Sequence, residues 1–328
     1  MKKSLRIKEN LINEDKLIKF TFNDKTMFGY QGDTLASALI SNKKKVVARS
    51  FKFHRPRGIY TAGSEEPNAL INVLRKGCNE PNVKATTLEI YNGLKAYSQN
   101  HLGSLEFDLL QINDLFSPFL SAGFYYKTFM WPKQFWEKVY EPLIRNAAGL
   151  GSITKKGDPD IYEKGFLHCD ILIVGSGPSA LMSCLISAKS GAEVILVEED
   201  FIFGGKLIVE NQVIDNQKSS DWVKKTIEEL KTFKNVKLLK RTTLYGVFDH
   251  GILGALERKT DHIPDNNVDP KQILWKIFSK KILVCSGSNE RGLVFRNNDR
   301  PGIMLSSAIR SYVNRWGVIP GNRIIIFT

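Results

Sequence analysis

The stretch that decides the fold is His168-Cys169-Asp170-Ile171-Leu172-Ile173-Val174-Gly175-Ser176-Gly177-Pro178-Ser179-Ala180. Ile171 to Val174 reads as a buried parallel strand. Gly175-Ser176-Gly177 is a tight turn, and Pro178 to Ser190 has helical character. Pro178 suits the first helical turn, where its missing N–H leaves no bond unmade. This is the strand–turn–helix that receives a dinucleotide pyrophosphate. Gly175 makes the turn, Gly177 lets backbone approach phosphate, and Ala180 is small enough for helix and strand to pack. The free N–H groups at the helix start, from Ser179 onward, then face the anion. Gly191 ends the helix. Ala192 to Val197 is a second buried strand, and Glu198 and Glu199 stand at its carboxyl end, where an acid holds a ribose diol.

Outward from that unit, Phe201-Ile202-Phe203-Gly204-Gly205-Lys206-Leu207 brings paired glycines that let backbone pass close to a dinucleotide, with Lys206 within reach of phosphate. Asp221 is placed to cap a helix from Trp222 to Phe233. Val236 to Lys240, Thr242 to Asp249 and Ile252 to Arg258 read as strands, the last two as the β-meander of this fold. Asp261 to Lys271 is a polar loop. Lys281 to Val284 is a returning strand, and Ser286 and Gly287 follow it beside the nucleotide. The fold class is therefore α/β, a Rossmann-like FAD/NAD(P)-binding domain with a β-meander.

Length and composition agree. The 328 residues suffice for two or more domains. No apolar run approaches the roughly 20 residues of a membrane span, and no apolar segment follows the basic start Met1 to Arg6, so the cytoplasm is the expected compartment. Cys78, Cys169, Cys184 and Cys285 show neither C-x-x-C nor zinc spacing. Three of them lie in or beside apolar runs and read as small core residues. The net charge is +13, of which residues 1–57, with 14 Lys/Arg and 5 Asp/Glu, hold +9. No nucleic-acid signature accompanies that charge, so neither nucleic acid nor membrane is expected as a partner.

Residues 1–98 read as a small β-rich domain. Ile18 to Phe22 and Thr26 to Tyr30 form a hairpin around Asn23-Asp24-Lys25, and Asp33 or Thr34 caps a helix Leu35 to Ile40. A loop from Arg49 to Leu70 crowds Arg49, Lys52, His54, Arg55 and Arg57 into nine residues. Such a cluster can fork onto phosphate or carboxylate, or its arginines can pair with Glu65, Glu66 or acids of another domain; the second reading is preferred. Residues 99–165 form an aromatic-rich helical connector. Its run Phe124 to Trp136 suits an interface, and Gln134 to Ile144 is a helix interrupted near Pro142. Residues 166–328 carry the nucleotide fold, and Arg323 to Thr328 reads as the first strand of a second nucleotide unit.

The runs Gly32-Asp33-Thr34-Leu35-Ala36-Ser37-Ala38-Leu39 and Arg49 to Leu70 resemble the N-terminal region of heterotetrameric sarcosine oxidase alpha subunits, and the resemblance extends to the last residue. It implies that residues 1–98 form a ferredoxin-like (β-grasp) α+β domain without an iron–sulfur cluster. Cys78 alone there agrees, since such a cluster takes four ligands. It also implies oxidation of sarcosine to glycine, with the methyl carbon passed to tetrahydrofolate. Amine oxidation would take place at a flavin on the beta subunit, with smaller subunits alongside. The alpha subunit would contribute bound NAD and part of an FMN site. Members of the family continue past the point matching Thr328, so the chain is expected to be a natural truncation, a split subunit or a fragment. Two alternatives stay open: an FAD-binding amine or opine oxidoreductase subunit in electron transfer, and a non-catalytic scaffold. No catalytic residue is assigned. The expected cofactor residues are Gly175, Ser176, Gly177, Pro178, Ser179, Ala180, Glu198, Glu199, Gly204, Gly205, Lys206, Ser286 and Gly287.

Overall fold

A computed structural model describes residues 5–7, 11–118, 120, 123, 131–149, 151–263 and 268–328. Most of the aromatic run Phe124 to Trp136, and part of the polar loop after Asp261, lie outside these. The chain divides into two compact units, residues 1–158 with 290–328, and residues 159–289.

The first unit is built on a five-stranded mixed sheet. Its strands are β1 (Asn13–Phe22), β2 (Lys25–Gln31), β5 (Leu70–Arg75), β6 (Cys78–Lys84) and β7 (Lys95–Ser98), in the order β2-β1-β7-β5-β6. β1 alternates, burying Ile18, Phe20 and Phe22. It turns into β2 through Asn23 and Asp24, both at positive φ (48° and 59°), the conformation a two-residue hairpin turn demands. Two short strands, β3 (Ala48–Arg49) and β4 (Pro56–Arg57), pair with each other. Helix α1 (Leu35–Ser41) is capped by Thr34, whose side chain accepts from Ser37 N while the Ser37 hydroxyl reaches back to Thr34 N. Every residue of α1 is buried. Helix α2 (Glu141–Ala148) carries Pro142 in its first turn and follows a π-turn at Trp136–Tyr140. The proline thus starts an α-helix rather than interrupting one.

Residues 290–328 pack into this first unit, where the sequence reading placed them with the nucleotide fold. Helix α5 (Ser306–Asn314) and the turn after it bring Tyr312 and Trp316 into the β-rich core. Tyr312 Oη donates to Thr61 O (2.9 Å), and Trp316 Nε1 to Gly32 O (3.0 Å). Arg323 to Thr328 is not a strand. No strand pairs with it among the described residues, and Ile325 is 94% exposed.

The second unit holds a six-stranded sheet of β8 (Tyr162–Val174), β9 (Val194–Val197), β12 (Val236–Leu239), β13 (Thr242–Phe248), β14 (Ile252–Arg258) and β15 (Gln272–Val284), ordered β12-β9-β8-β15-β14-β13. β12, β9, β8 and β15 are parallel; β13 and β14 add antiparallel as the meander. A two-residue ribbon, β10 (Val213–Ile214) and β11 (Gln217–Lys218), lies outside the sheet. Helices α3 (Pro178–Lys189) and α4 (Ser219–Thr232) cover one face. There Ala180, Leu181, Cys184, Trp222 and Leu230 meet Ile173 and Leu196. On the other face Leu172, Ile195 and Val197 pack with Leu253, Ala255 and Ile277 of the meander and β15. Asp221 sits in the first turn of α4 rather than capping it, because the helix begins two residues earlier. Burial pushes the Cys184 thiol up to about 11, so it is a core residue and not a reactive one.

Candidate functional site

The chain runs out from β8 through α3 to β9 and through α4 to β12, then returns to β15 on the opposite side of β8. β8 is thus where the strand order reverses, and ligands of open α/β sheets bind in the crevice at the carboxyl ends there. Three segments meet at those ends: the turn after Val174, the loop after Val197 and the segment after Val284.

The turn is held by backbone. Gly175 N donates to Val197 O (2.8 Å), and Cys285 N donates to Val174 O (2.8 Å). Gly175 has φ +101°, and a Cβ there would stand 2.5 Å from Cys285 O. Only glycine avoids both penalties. Gly177 differs. Its backbone is extended at the N-cap of α3, and a Cβ would meet nothing within 4 Å. Its missing side chain therefore leaves open space at the helix start. Pro178 occupies the first turn of α3, Ser179 is exposed, and Ala180 is buried against Ile173 and Leu181.

Glu198, at the end of β9, is 9% exposed. Oε2 accepts from Ser176 Oγ and Oε1 from Asp200 N (3.0 Å). Burial pushes its carboxyl above the ordinary range, with the Asp200 and Glu199 charges adding to the rise. The bonds from Ser176 and Asp200 oppose it. Ser176 Oγ also accepts from Gly204 N (2.9 Å). Gly204 and Gly205 have φ +125° and +54°, and a Cβ on Gly205 would lie 3.1 Å from Gly177 Cα. The paired glycines thus lay their backbone directly on the turn. Lys206 Nζ reaches Ser288 Oγ (3.4 Å), joining the second segment to the third. Ser286 and Gly287 are exposed beside it, with Gly287 at φ +73°. Glu199 is exposed, and its carbonyl accepts from Arg258 Nη2 (2.9 Å).

The cationic loop of the first unit lines a cavity of about 350 Å³, with Arg49, Lys52 and Arg57 among its walls. Arg49 is buried and donates to Leu105 O, Glu106 O, His54 O and Gln111 Oε1. Arg55 pairs with Asp114 (2.7 Å), and Arg57 pairs with Asp299. His54 Nδ1 lies 2.7 Å from Asp108 Oδ2, both buried. Arg55 and Arg57 thus meet acids, but of the connector and of residues 290–328 and not Glu65 or Glu66, while Arg49 is spent on carbonyls and Gln111. Glu66, expected to pair with the arginines, is instead a buried carboxylate accepting from Tyr60 N, Thr61 N, Thr61 Oγ1, Asn68 N and Ala69 N.

Residues 15–101 match a family described as a 2Fe-2S iron-sulfur cluster binding domain. This overturns the expectation of no iron–sulfur cluster, since the matched family is one defined by cluster binding. Cys78 is the one thiol among the matched residues, short of the four-ligand set such clusters take. No helix among the described residues is long and apolar enough to cross a membrane.

The chain is 50% identical over 98% of its length to a protein of Rhizobium meliloti named sarcosine oxidase subunit alpha, and covers 33% of it. It is 32% identical over 97% of its length to the protein of the same name from a Corynebacterium, covering 28% of that one. The chain therefore spans about a third of these relatives. Among solved structures, L-proline dehydrogenase from P. horikoshii aligns with 98% of this chain and 50% of its own, with TM-score 0.61 and 20% identity. That likeness supports the mixed α/β fold. Over nearly its whole length, this chain is a homologue of the N-terminal part of the sarcosine oxidase alpha subunit.

Proposed function

We propose that the unit formed by residues 159–289 binds an adenine dinucleotide at the carboxyl ends of β8, β9 and β15. The chain then serves as the dinucleotide-binding part of an oxidoreductase subunit that works on an amine of the sarcosine class. The observation that carries the site is the open space in front of Gly177, framed by the start of α3 and by the Gly204–Gly205 backbone. The free N–H groups of the first turn, with the positive end of the helix dipole behind them, suit a pyrophosphate. Glu198 would hold the ribose diol with the lone pairs left over from its two protein bonds. Lys206 and the Ser286–Gly287 segment would border the rest of the ligand. NAD is the first assignment and FAD the second, because an acid at the ribose suits both.

The bound dinucleotide would supply hydride or electron transfer, and the protein's part is to hold and orient it. The names of the homologues support the amine-oxidising assembly. Oxidation of the amine itself is assigned to a flavin-bearing partner subunit. Heating the purified chain and identifying the released small molecules by mass tests the site. One equivalent of NAD or FAD is expected. A yellow protein absorbing near 450 nm (about that value, set by the flavin ring) would select FAD. Neither dinucleotide, even after incubation with both, would overturn the reading.

A further inference from the structure

The turn after β8 and the segment after β9 frame the open space at α3, and one side chain ties them together at two points. Ser176 is 1% exposed. It lies in the turn itself, its hydroxyl donates to Glu198 at the end of β9, and the same oxygen accepts from Gly204 N at 2.9 Å. A hydroxyl can do both at once, since it carries one donor and two acceptor lone pairs. Neither bond faces solvent, so neither is replaced by water if the hydroxyl is removed. Glu198 retains its Asp200 N–H contact in that case, but nothing then ties its second oxygen to the turn. Gly204 N–H would lose its acceptor just where the paired glycines lie on Gly177.

We infer that Ser176 is a positioning residue for the dinucleotide site: it fixes Glu198 at the ribose position and holds the Gly204–Gly205 backbone on the phosphate turn, so that both are preset for the ligand. This rests on the dinucleotide reading above. Ser176 need not touch the ligand itself, and it acts through Glu198 and the glycine loop.

The test is a double-mutant cycle on the full chain, read as affinity for NAD and for FAD by titration calorimetry. Ser176→Ala is expected to weaken binding about 10- to 100-fold, the loss typical of a hydrogen bond to a charged group. Because the effect passes largely through Glu198, adding Ser176→Ala to Glu198→Ala should weaken binding far less than it does in wild type, as for residues in one network. Wild-type affinity in Ser176→Ala, or losses that add in full, would overturn the inference. A measurement on wild type guards against a variant that does not fold. Bound dinucleotide should slow amide exchange across residues 201–206 as well as across 175–181; protection of the turn alone would contradict the coupling. If wild type binds neither dinucleotide, the underlying reading fails and takes this one with it. If wild type binds and the cycle is additive, only the positioning role is lost.

Discussion

Gly175 and Gly177 are glycines for different reasons, and substitutions separate them. Gly175→Ala would place a Cβ 2.5 Å from Cys285 O on a backbone at φ +101°. The left-handed penalty is about 1–2 kcal/mol, and the clash with a fixed carbonyl adds to it. Denaturant titration should therefore show a destabilised protein whether or not nucleotide is added. Glu198 gives a second test with a definite sign in pH. Burial raises its carboxyl pKa in the folded state above 4.5. The folded protein then binds that proton more tightly than the unfolded chain does. Stability from this group is complete below its unfolded pKa and is lost as pH rises through the folded one. Glu198→Gln is therefore expected to raise the Tm of the nucleotide-free chain at pH 7, by an amount that shrinks toward pH 4.5, while weakening dinucleotide binding. An unchanged or lower Tm at pH 7 would contradict the account of this carboxylate. The tight turn at Gly175 was legible because a turn between an apolar strand and a helix leaves few choices. The contacts of Ser176 were not, because Glu198 and Gly204 lie 22 and 28 residues away and no local pattern records the pairing.

The elements were legible in proportion to how local their causes are. Thr34 caps α1 through a reciprocal bond with Ser37, a pattern written within four residues. Thr34→Ala should cost about 1 kcal/mol in a urea titration; no loss would mean that the packing of α1 alone sets its start. The carboxyl ends of β8 and β15 were read from their apolar runs, but Leu283 and Val284 are exposed where a buried strand was expected, and both strands extend much further toward their amino ends. Tyr162 to His168 mixes Glu163, Lys164 and His168 with Phe166, and its strand character comes from pairing with Gln272–Phe278 over a hundred residues away. Glu66 shows the same limit in a loop. Its five donors lie within a few residues, yet the arginine-rich run before it draws the eye as its partner. Glu66→Ala would orphan buried N–H groups at about 1–3 kcal/mol each for those that water cannot reach. The Arg49–Leu70 loop should then become protease-sensitive in the folded protein.

At the scale of the whole molecule, the sequence predicted a nucleotide fold running to the last residue, and the structure returns residues 290–328 to the first unit. The reason is nonlocal packing: Tyr312 and Trp316 complete a core begun by Phe20 and Leu35, and Arg57 meets Asp299 across 242 positions. The chain's chemistry is also a whole-molecule matter. His54 is committed to Asp108, and His168 stacks flat on Phe278 at 4.9 Å, seven residues before the glycine turn. With NAD, FAD and FMN added, the chain alone should yield no peroxide from sarcosine, whereas a mixture with a flavin-bearing partner should; turnover by the chain alone would refute the division of labour. The central claim, a dinucleotide held at Gly177, has a more direct test in Gly177→Asp. The new side chain enters open space, and an aspartate at the N-cap of α3 favours the helix, so the variant is expected to fold. Its carboxylate would take the N–H groups meant for phosphate and repel the ligand's charge. Dinucleotide released by heat and quantified by mass should be near one equivalent from wild type and absent from Gly177→Asp; equal amounts from the two would contradict the claim.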